Sequence, residues 1–255
     1  MSRIEKNIFK IAKGVVVVSN MAGGVAFIKE RVDQKVHFKR NHQGFYEYYI
    51  KRPLDCTLAT GAIIVLSPVL LLTAIIVHVK LGSPIIFKQE RAGKYEKPFS
   101  IVKFRSMTIE HDKNGILLPD ELRLTALGRI LRSTSIDELP ELFNILKGDM
   151  SIVGPRPLPT GYSQFYTEIE KKRFQVRGGL IPSDSIDKNS VISWDKQFKY
   201  ESDYAENVRF KTDLYIFLNA VRIVLERNRT NYGAVVRKSL IDERFEKNSE
   251  GIIKC

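Results

Sequence analysis

The chain has 255 residues, 44% of them hydrophobic, with a formal net charge of +12 and a pI near 9.6. That apolar content excludes global disorder, and two cysteines, Cys56 and Cys255, can build neither a disulfide framework nor a zinc site. The positive balance predicts an anionic partner: nucleic acid, a phosphorylated substrate or an anionic membrane surface.

Residues 1–48 are read as an N-terminal extension. Met1–Lys13 is cationic, but the GVVVV run after it is short and lacks a small-residue cleavage pattern, so no secretory signal is read. Gly14–Phe27, GVVVVSNMAGGVAF, is too short to span a bilayer and is interrupted by Gly23-Gly24. A strand pair or an interfacial segment are the two readings.

Residues 49–81 are read as a membrane element. Leu54–Val79 is almost continuously apolar over 26 residues. As a straight helix it would run roughly 39 Å, against about 30 Å for a bilayer core. Pro68 at its midpoint removes a backbone donor and predicts a bend at Ser67-Pro68, where the Ser67 hydroxyl could bond a freed carbonyl. Lys51 and Arg52 precede the segment, and Lys80 and Lys88 follow it. Positive flanks favour the cytoplasmic side, and here both ends ask for it. The expectation is a re-entrant helix hairpin that dips into one leaflet and returns; a plain spanning helix and a buried core helix are the alternatives.

Residues 82–228 are read as a cytosolic α/β domain, mostly helical with a small sheet, and 229–255 as a C-terminal tail. GSPIIFKQERAGKYEKPFSIVKFRSM predicts two strands around a Gly/Lys turn. Alternation places Ile101, Lys103 and Arg105 on one face, so Lys103 and Arg105 form a candidate phosphate clamp or a solvated strand face. Further on, Leu124, Leu127, Ile130 and Leu131 have helical spacing, as do Leu139, Leu142, Phe143 and Leu146. The two helices meet at RSTSIDE, with the second expected to start at Asp137 or Glu138, so that Pro140 falls in its first turn. Asp137 would then be an N-cap and Glu138 would offset the helix dipole. The other reading is chemical. A helix N-terminus with Arg132, Arg156 and two adjacent carboxylates can bind phosphate, one carboxylate attacking phosphorus and the other holding Mg²⁺. Pro155 and Pro157 stiffen the loop that carries Arg156. The chain has a second acidic pair, Asp120-Glu121.

Taken in order, SP inside the apolar segment, KFRSM, LPDELRLTALGRILRSTSIDELPELFNILKGDMSIVGPRP and ISWDKQF resemble the monotopic phosphoglycosyl transferases, bacterial sugar transferases, over roughly Tyr49–Asn228. The resemblance implies transfer of a sugar-1-phosphate from a nucleotide sugar, a UDP-sugar by expectation, to undecaprenyl phosphate with release of UMP, initiating a surface glycan such as a capsule, exopolysaccharide or O-antigen. It implies Asp137 as nucleophile through a covalent aspartyl-phosphosugar, Glu138 as Mg²⁺ ligand, and Pro155, Arg156 and Pro157 at the nucleotide phosphates. It also implies a monotopic protein on the inner membrane with amphipathic interfacial helices and its catalytic domain in the cytoplasm. Lys103, Arg105, Arg132 and Arg177 complete the expected binding set, and a homodimer is left open.

The family's RPGITGWAQVNGRN stretch has become RGGLIPSDSIDKNS, Arg177–Ser190, which keeps Arg177 and Gly179 but has no tryptophan. Two rival readings stand beside this one. An inactive membrane scaffold of a glycan assembly complex would not need Asp137, Glu138 and Arg156. A nucleic-acid binder is disfavoured because no helix-turn-helix, zinc or RRM-like pattern accompanies the charge.

Overall fold

The computed structural model describes residues 16–19, 25–28, 43–187, 192–226 and 239–249. The chain divides between Lys39 and Arg40. In the first unit, β1 (Val16–Ser19) and β2 (Val25–Ile28) pair antiparallel, Val16 opposite Ile28, which is the strand-pair reading of that segment.

In the second unit a π-helical turn, Tyr46–Ile50, leads into α1, Lys51–Leu81. Helix α1 continues through Ser67-Pro68. Pro68 has no N–H to give to the Ile64 carbonyl, and the Ser67 hydroxyl donates to that carbonyl instead at 2.8 Å. Both ends of α1 are fastened to the same body. Near its start, Arg52 donates to the Ile145 and Leu146 carbonyls at 2.6 and 3.1 Å, and Asp55 accepts from Ser151 Oγ at 2.7 Å and the Ile152 N–H at 3.2 Å. Lys51 meets Asp213 at 2.6 Å. Ala59 packs with Ile101, Leu142, Ile145 and Met150. Near its end, Val77 packs with Phe104 and Leu131, and Arg105 donates to the Gly82 carbonyl at 2.8 Å and to that of Leu81. Between these anchorages Ile64, Val65, Val69, Leu71, Leu72, Ile75 and Ile76 are exposed. Tyr46–Leu81 is long and apolar enough to cross a membrane.

The expected hairpin follows. β3 (Ile86–Ala92) and β4 (Pro98–Phe104) pair antiparallel with Phe87 opposite Lys103, around a turn at Gly93–Lys97. Two short helices, α2 (Asp120–Arg123) and α3 (Ala126–Thr134), precede a 3₁₀ turn, Ile136–Glu138, and α4 (Glu141–Lys147). β5 (Met150–Gly154) pairs parallel with β6 (Gly178–Pro182). The described strands thus form three two-stranded sheets rather than one small sheet. Helices α5 (Trp194–Glu206) and α6 (Phe210–Glu226) close over β5, with Val153, Val176, Tyr204, Ala205, Val208 and Ile216 in a common core. Helix α7 is Leu240–Ser249. Residues 188–190 of the altered loop and most of the 229–255 tail lie outside the described residues.

Candidate active site

The acidic pair sits at a chain reversal built by three local devices. Thr125 caps α3, its hydroxyl accepting from the Gly128 N–H at 3.0 Å. Gly128 lies hard against the backbone after β4: a Cβ there would come within 1.8 Å of the Ser106 carbonyl oxygen. Ser135 then takes a left-handed conformation, φ 56°, and ends α3 with its N–H on the Arg132 carbonyl. The 3₁₀ turn carrying Asp137 and Glu138 follows at once. Helix α4 starts only at Glu141, with Pro140 ahead of it.

This corrects the sequence reading of the pair. Asp137 is not the N-cap of the second helix, because the left-handed Ser135 and the fixed φ of Pro140 leave a tight turn between the helices. Asp137 is nonetheless only 7% exposed. Burial, and next the Glu138 charge, raise its pKa above the usual carboxylate value, while Lys103 and Arg132 oppose that rise.

Helix α4 is stapled to β4 by Asn144, which accepts from the Val102 N–H at 3.1 Å and donates to the Ser100 carbonyl at 2.8 Å. This brings Glu141 beside Lys103. The Lys103 ammonium lies 2.6 Å from Glu138 Oε1 and 3.0 Å from Glu141 Oε1. Burial lowers the pKa of Lys103, but Glu141 and Glu138 more than offset it and the net shift is upward. Glu141 is 3% exposed, and burial pushes its carboxyl up to about 7 against the opposing Lys103 charge.

Asp137 and Glu138 open onto a cleft of about 780 Å³. Lys103, Arg91, Arg123, Arg132 and Arg156 line it with Phe87, Met107, Ile109 and Leu117. Arg132 is steadied by an Nε bond to Ser106 Oγ at 3.0 Å. A smaller adjoining cavity of about 100 Å³ is lined by Glu141, Arg91, Arg156, Pro157 and Leu180. So many cations around two carboxylates suit a polyanionic ligand.

The loop carrying Arg156 is set by close backbone contact. The Gly179 N–H donates to the Pro155 carbonyl at 2.9 Å. A Cβ on Gly179 would fall 2.1 Å from the Gly154 nitrogen, and one on Gly178 2.6 Å from Pro157 Cγ. Only glycine permits that approach.

Of the sequence-predicted residues, Asp137, Glu138, Lys103, Arg132, Arg156 and Pro157 meet at the two cavities, and Pro155 lines neither, its carbonyl accepting from Gly179. Arg105 borders the cleft but its guanidinium is committed to the C-terminal carbonyls of α1. Strand β4 ends at Phe104, so the alternation that grouped Arg105 with Lys103 does not reach it. Arg177 does not line the cleft: its Nε donates to the Gly148 carbonyl at 2.8 Å, beside a separate cavity of about 280 Å³. Asp120 sits exposed at the rim, paired with Arg123, and Glu121 is exposed. The reading missed Arg91, Arg123 and Glu141. Hairpin register could have found Arg91, which shares a face with Lys103 by the two-residue period.

Among the described residues no group of three or more acidic, histidine or cysteine side chains is placed to hold a metal. The two adjacent carboxylates are oxygen donors of the kind Mg²⁺ takes, and that ion commonly keeps waters and substrate phosphates as its other ligands. The donor set therefore fits an ion that arrives with a phosphorylated substrate.

A cation-lined cleft of this kind, beside a long apolar helix, suits a phosphorylated ligand. The chain belongs to the bacterial sugar transferase family, whose model matches residues 46–227. It is 47% identical over 176 residues to a protein named uncharacterized sugar transferase EpsL from Bacillus subtilis, covering 69% of this chain and 87% of that one. It is 40% identical over 185 residues to a UDP-glucose:undecaprenyl-phosphate glucose-1-phosphate transferase from Caulobacter vibrioides, covering 69% of each. A third relative, the UDP-N-acetylgalactosamine-undecaprenyl-phosphate N-acetylgalactosaminephosphotransferase of Aeromonas hydrophila, is 35% identical over 194 residues. The match spans 73% of this chain but 45% of that longer protein.

Proposed function

We propose that this protein transfers a sugar-1-phosphate from a UDP-sugar to undecaprenyl phosphate, through a covalent intermediate on Asp137. The observation that carries the reading is a buried carboxylate, Asp137, at a cleft lined by Lys103 and five arginines. In the first half-reaction an Asp137 oxygen attacks the phosphorus that bears the sugar. The bond from that phosphorus to the bridging oxygen breaks and UMP leaves. In the second, a phosphate oxygen of undecaprenyl phosphate attacks the same phosphorus, and the bond to Asp137 breaks. The product is undecaprenyl diphosphate-sugar and the carboxylate is regenerated. Anions must approach an anion in both steps, and the arginines with Lys103 offset that repulsion as charge builds on the phosphoryl oxygens. Burial favours the neutral acid at Asp137, and Lys103 and Arg132 oppose it, favouring the carboxylate that attacks.

Glu138 would hold Mg²⁺ together with the substrate's phosphate oxygens, and the ion supplies charge neutralisation there. Lys103, which has Glu141 as a second partner, can release Glu138 without leaving the acidic cluster. The topology we propose is monotopic, with α1 re-entrant and the catalytic domain on the cytoplasmic face. Its support is that one body grips α1 at Asp55 and again at Leu81, which a helix crossing to the far side would not allow.

The test is a trapping experiment. Purified protein with radiolabelled UDP-sugar, Mg²⁺ and no lipid acceptor should carry label after acid quench, and Asp137→Asn should carry none while keeping its unfolding temperature. Turnover by the wild type with no protein-bound label at any rapid-quench time refutes the covalent route.

A further inference from the structure

Helix α5 begins in the ISWDKQF motif, and the chemistry above leaves it without a task. Its inner face carries a buried charge. Glu201 is fully buried and Arg173, from the segment before β6, is 2% exposed; the two meet at 2.9 Å. Such a pair is costly to desolvate and adds little stability over an apolar packing. Its other bonds explain where it acts. Glu201 Oε1 accepts the backbone N–H of Arg156 at 3.0 Å, and Arg173 Nη2 donates to the backbone carbonyl of the same Arg156. One ion pair thus grips both polar groups of a single residue in the cleft wall. The clamp is itself held. Gln197 donates to Glu201 at 3.0 Å, the Tyr166 hydroxyl lies 3.0 Å from Arg173 Nη1, and the guanidinium stands over the Phe174 and Phe198 rings. Arg156, by contrast, is exposed, and its side chain reaches both cavities beside the acidic pair.

We propose that Arg173 and Glu201 are positioning residues which fix the backbone of Arg156, so that its guanidinium meets the phosphates of the sugar nucleotide in one orientation. The proposal rests on the function given above. It assigns α5 to donor binding, although no α5 side chain lines the cleft.

The test is a double-mutant cycle on donor kinetics, using full-length protein in nanodiscs with UDP-sugar and undecaprenyl phosphate. Glu201→Gln keeps an acceptor for the Arg156 N–H but loses the ion pair. Arg173→Lys keeps the charge yet cannot reach two acceptors as a guanidinium fork does. Each should raise KM for the UDP-sugar and lower kcat/KM by about tenfold to a hundredfold, as small misplacements of a phosphate-binding group do. In the Arg156→Ala background the same changes should cost nothing further, because the group they position is gone. Additive losses, or folded variants with wild-type kinetics, overturn the clamp. So does failure of both variants to accumulate as folded protein, which would make the pair a fold element only. If Arg156→Ala alone leaves kcat/KM unchanged, the assignment of Arg156 to the donor fails instead, and the clamp falls with it.

Discussion

Replacing Glu141 with glutamine tests the electrostatics of the acidic cluster. Glu141 is 3% exposed and its carboxyl is pushed from 4.5 up to about 7, mainly by burial. A carboxyl whose folded pKa is raised contributes stability that is fully present below its unfolded pKa and lost as pH rises through the folded one. Below about 4.5 it is neutral whether folded or not. Between about 4.5 and about 7 the unfolded chain ionises first and the fold is progressively disfavoured. A shift of roughly 2.5 units at about 1.36 kcal/mol each makes the loss about 3 kcal/mol. Glu141→Gln removes this one titration. Its stability relative to the wild type should therefore rise by about 3 kcal/mol between pH 4 and pH 7.5, at about 1.36 kcal/mol for each unit of the shift. The lost contact with Lys103 adds an offset, but the slope with pH is the readout. Thermal unfolding of both proteins in the same detergent at half-unit steps of pH measures it. Parallel curves across the window would refute the buried-carboxyl account.

Gly179→Ala should disrupt the β5–β6 pair and destabilise the protein by about 3 kcal/mol or more, since its Cβ would meet backbone that cannot yield; unfolding temperature and yield report it. Glu138→Gln should sharply reduce turnover, whereas Glu121→Ala, on an exposed helix at the rim, should leave it near the wild-type value; UMP release with Mg²⁺ measures both. In a Cys56→Ser, Cys255→Ser background, cysteines at Gln43 and Lys88 should react with an impermeant maleimide from the same, cytoplasmic side, and labelling from opposite sides would sink the re-entrant topology.

What could be read from the chain was what depends on neighbours in sequence. The β3–β4 hairpin, the apolar helix, the acidic pair and the stiff loop around Arg156 all follow from local pattern and motif order. What could not be read depends on tertiary partners. Arg105 reaches carbonyls at Leu81 and Gly82, and Arg177 reaches the carbonyl of Gly148; each serves a helix end that spacing alone does not reveal. The helix start expected at Asp137 or Glu138 falls at Glu141 because of the left-handed Ser135, of a type that seldom adopts that conformation, and of Pro140. Arg173 and Glu201 are 28 positions apart and meet only because β6 and α5 fold back over β5. Glu141 gains its place only through the staple of α4 to β4, which no local spacing reveals.

Helix α1 has no stalk. It enters the rest of the second unit through Asp55 and returns to it through the carbonyls of Leu81 and Gly82, with Val77 packed on Leu131, five residues from the turn that carries Asp137. An enzyme on a flexible tether sweeps a hemisphere above its anchor and can bend down to a substrate. With α1 re-entrant, as proposed above, this one would be held at two points and could do neither. Seated in a bilayer through α1, it would carry Asp137 at one fixed altitude over the lipid surface. A lipid-borne phosphate would then find the carboxylate by sliding within the plane, a search in two dimensions, while the soluble sugar nucleotide arrives from the third.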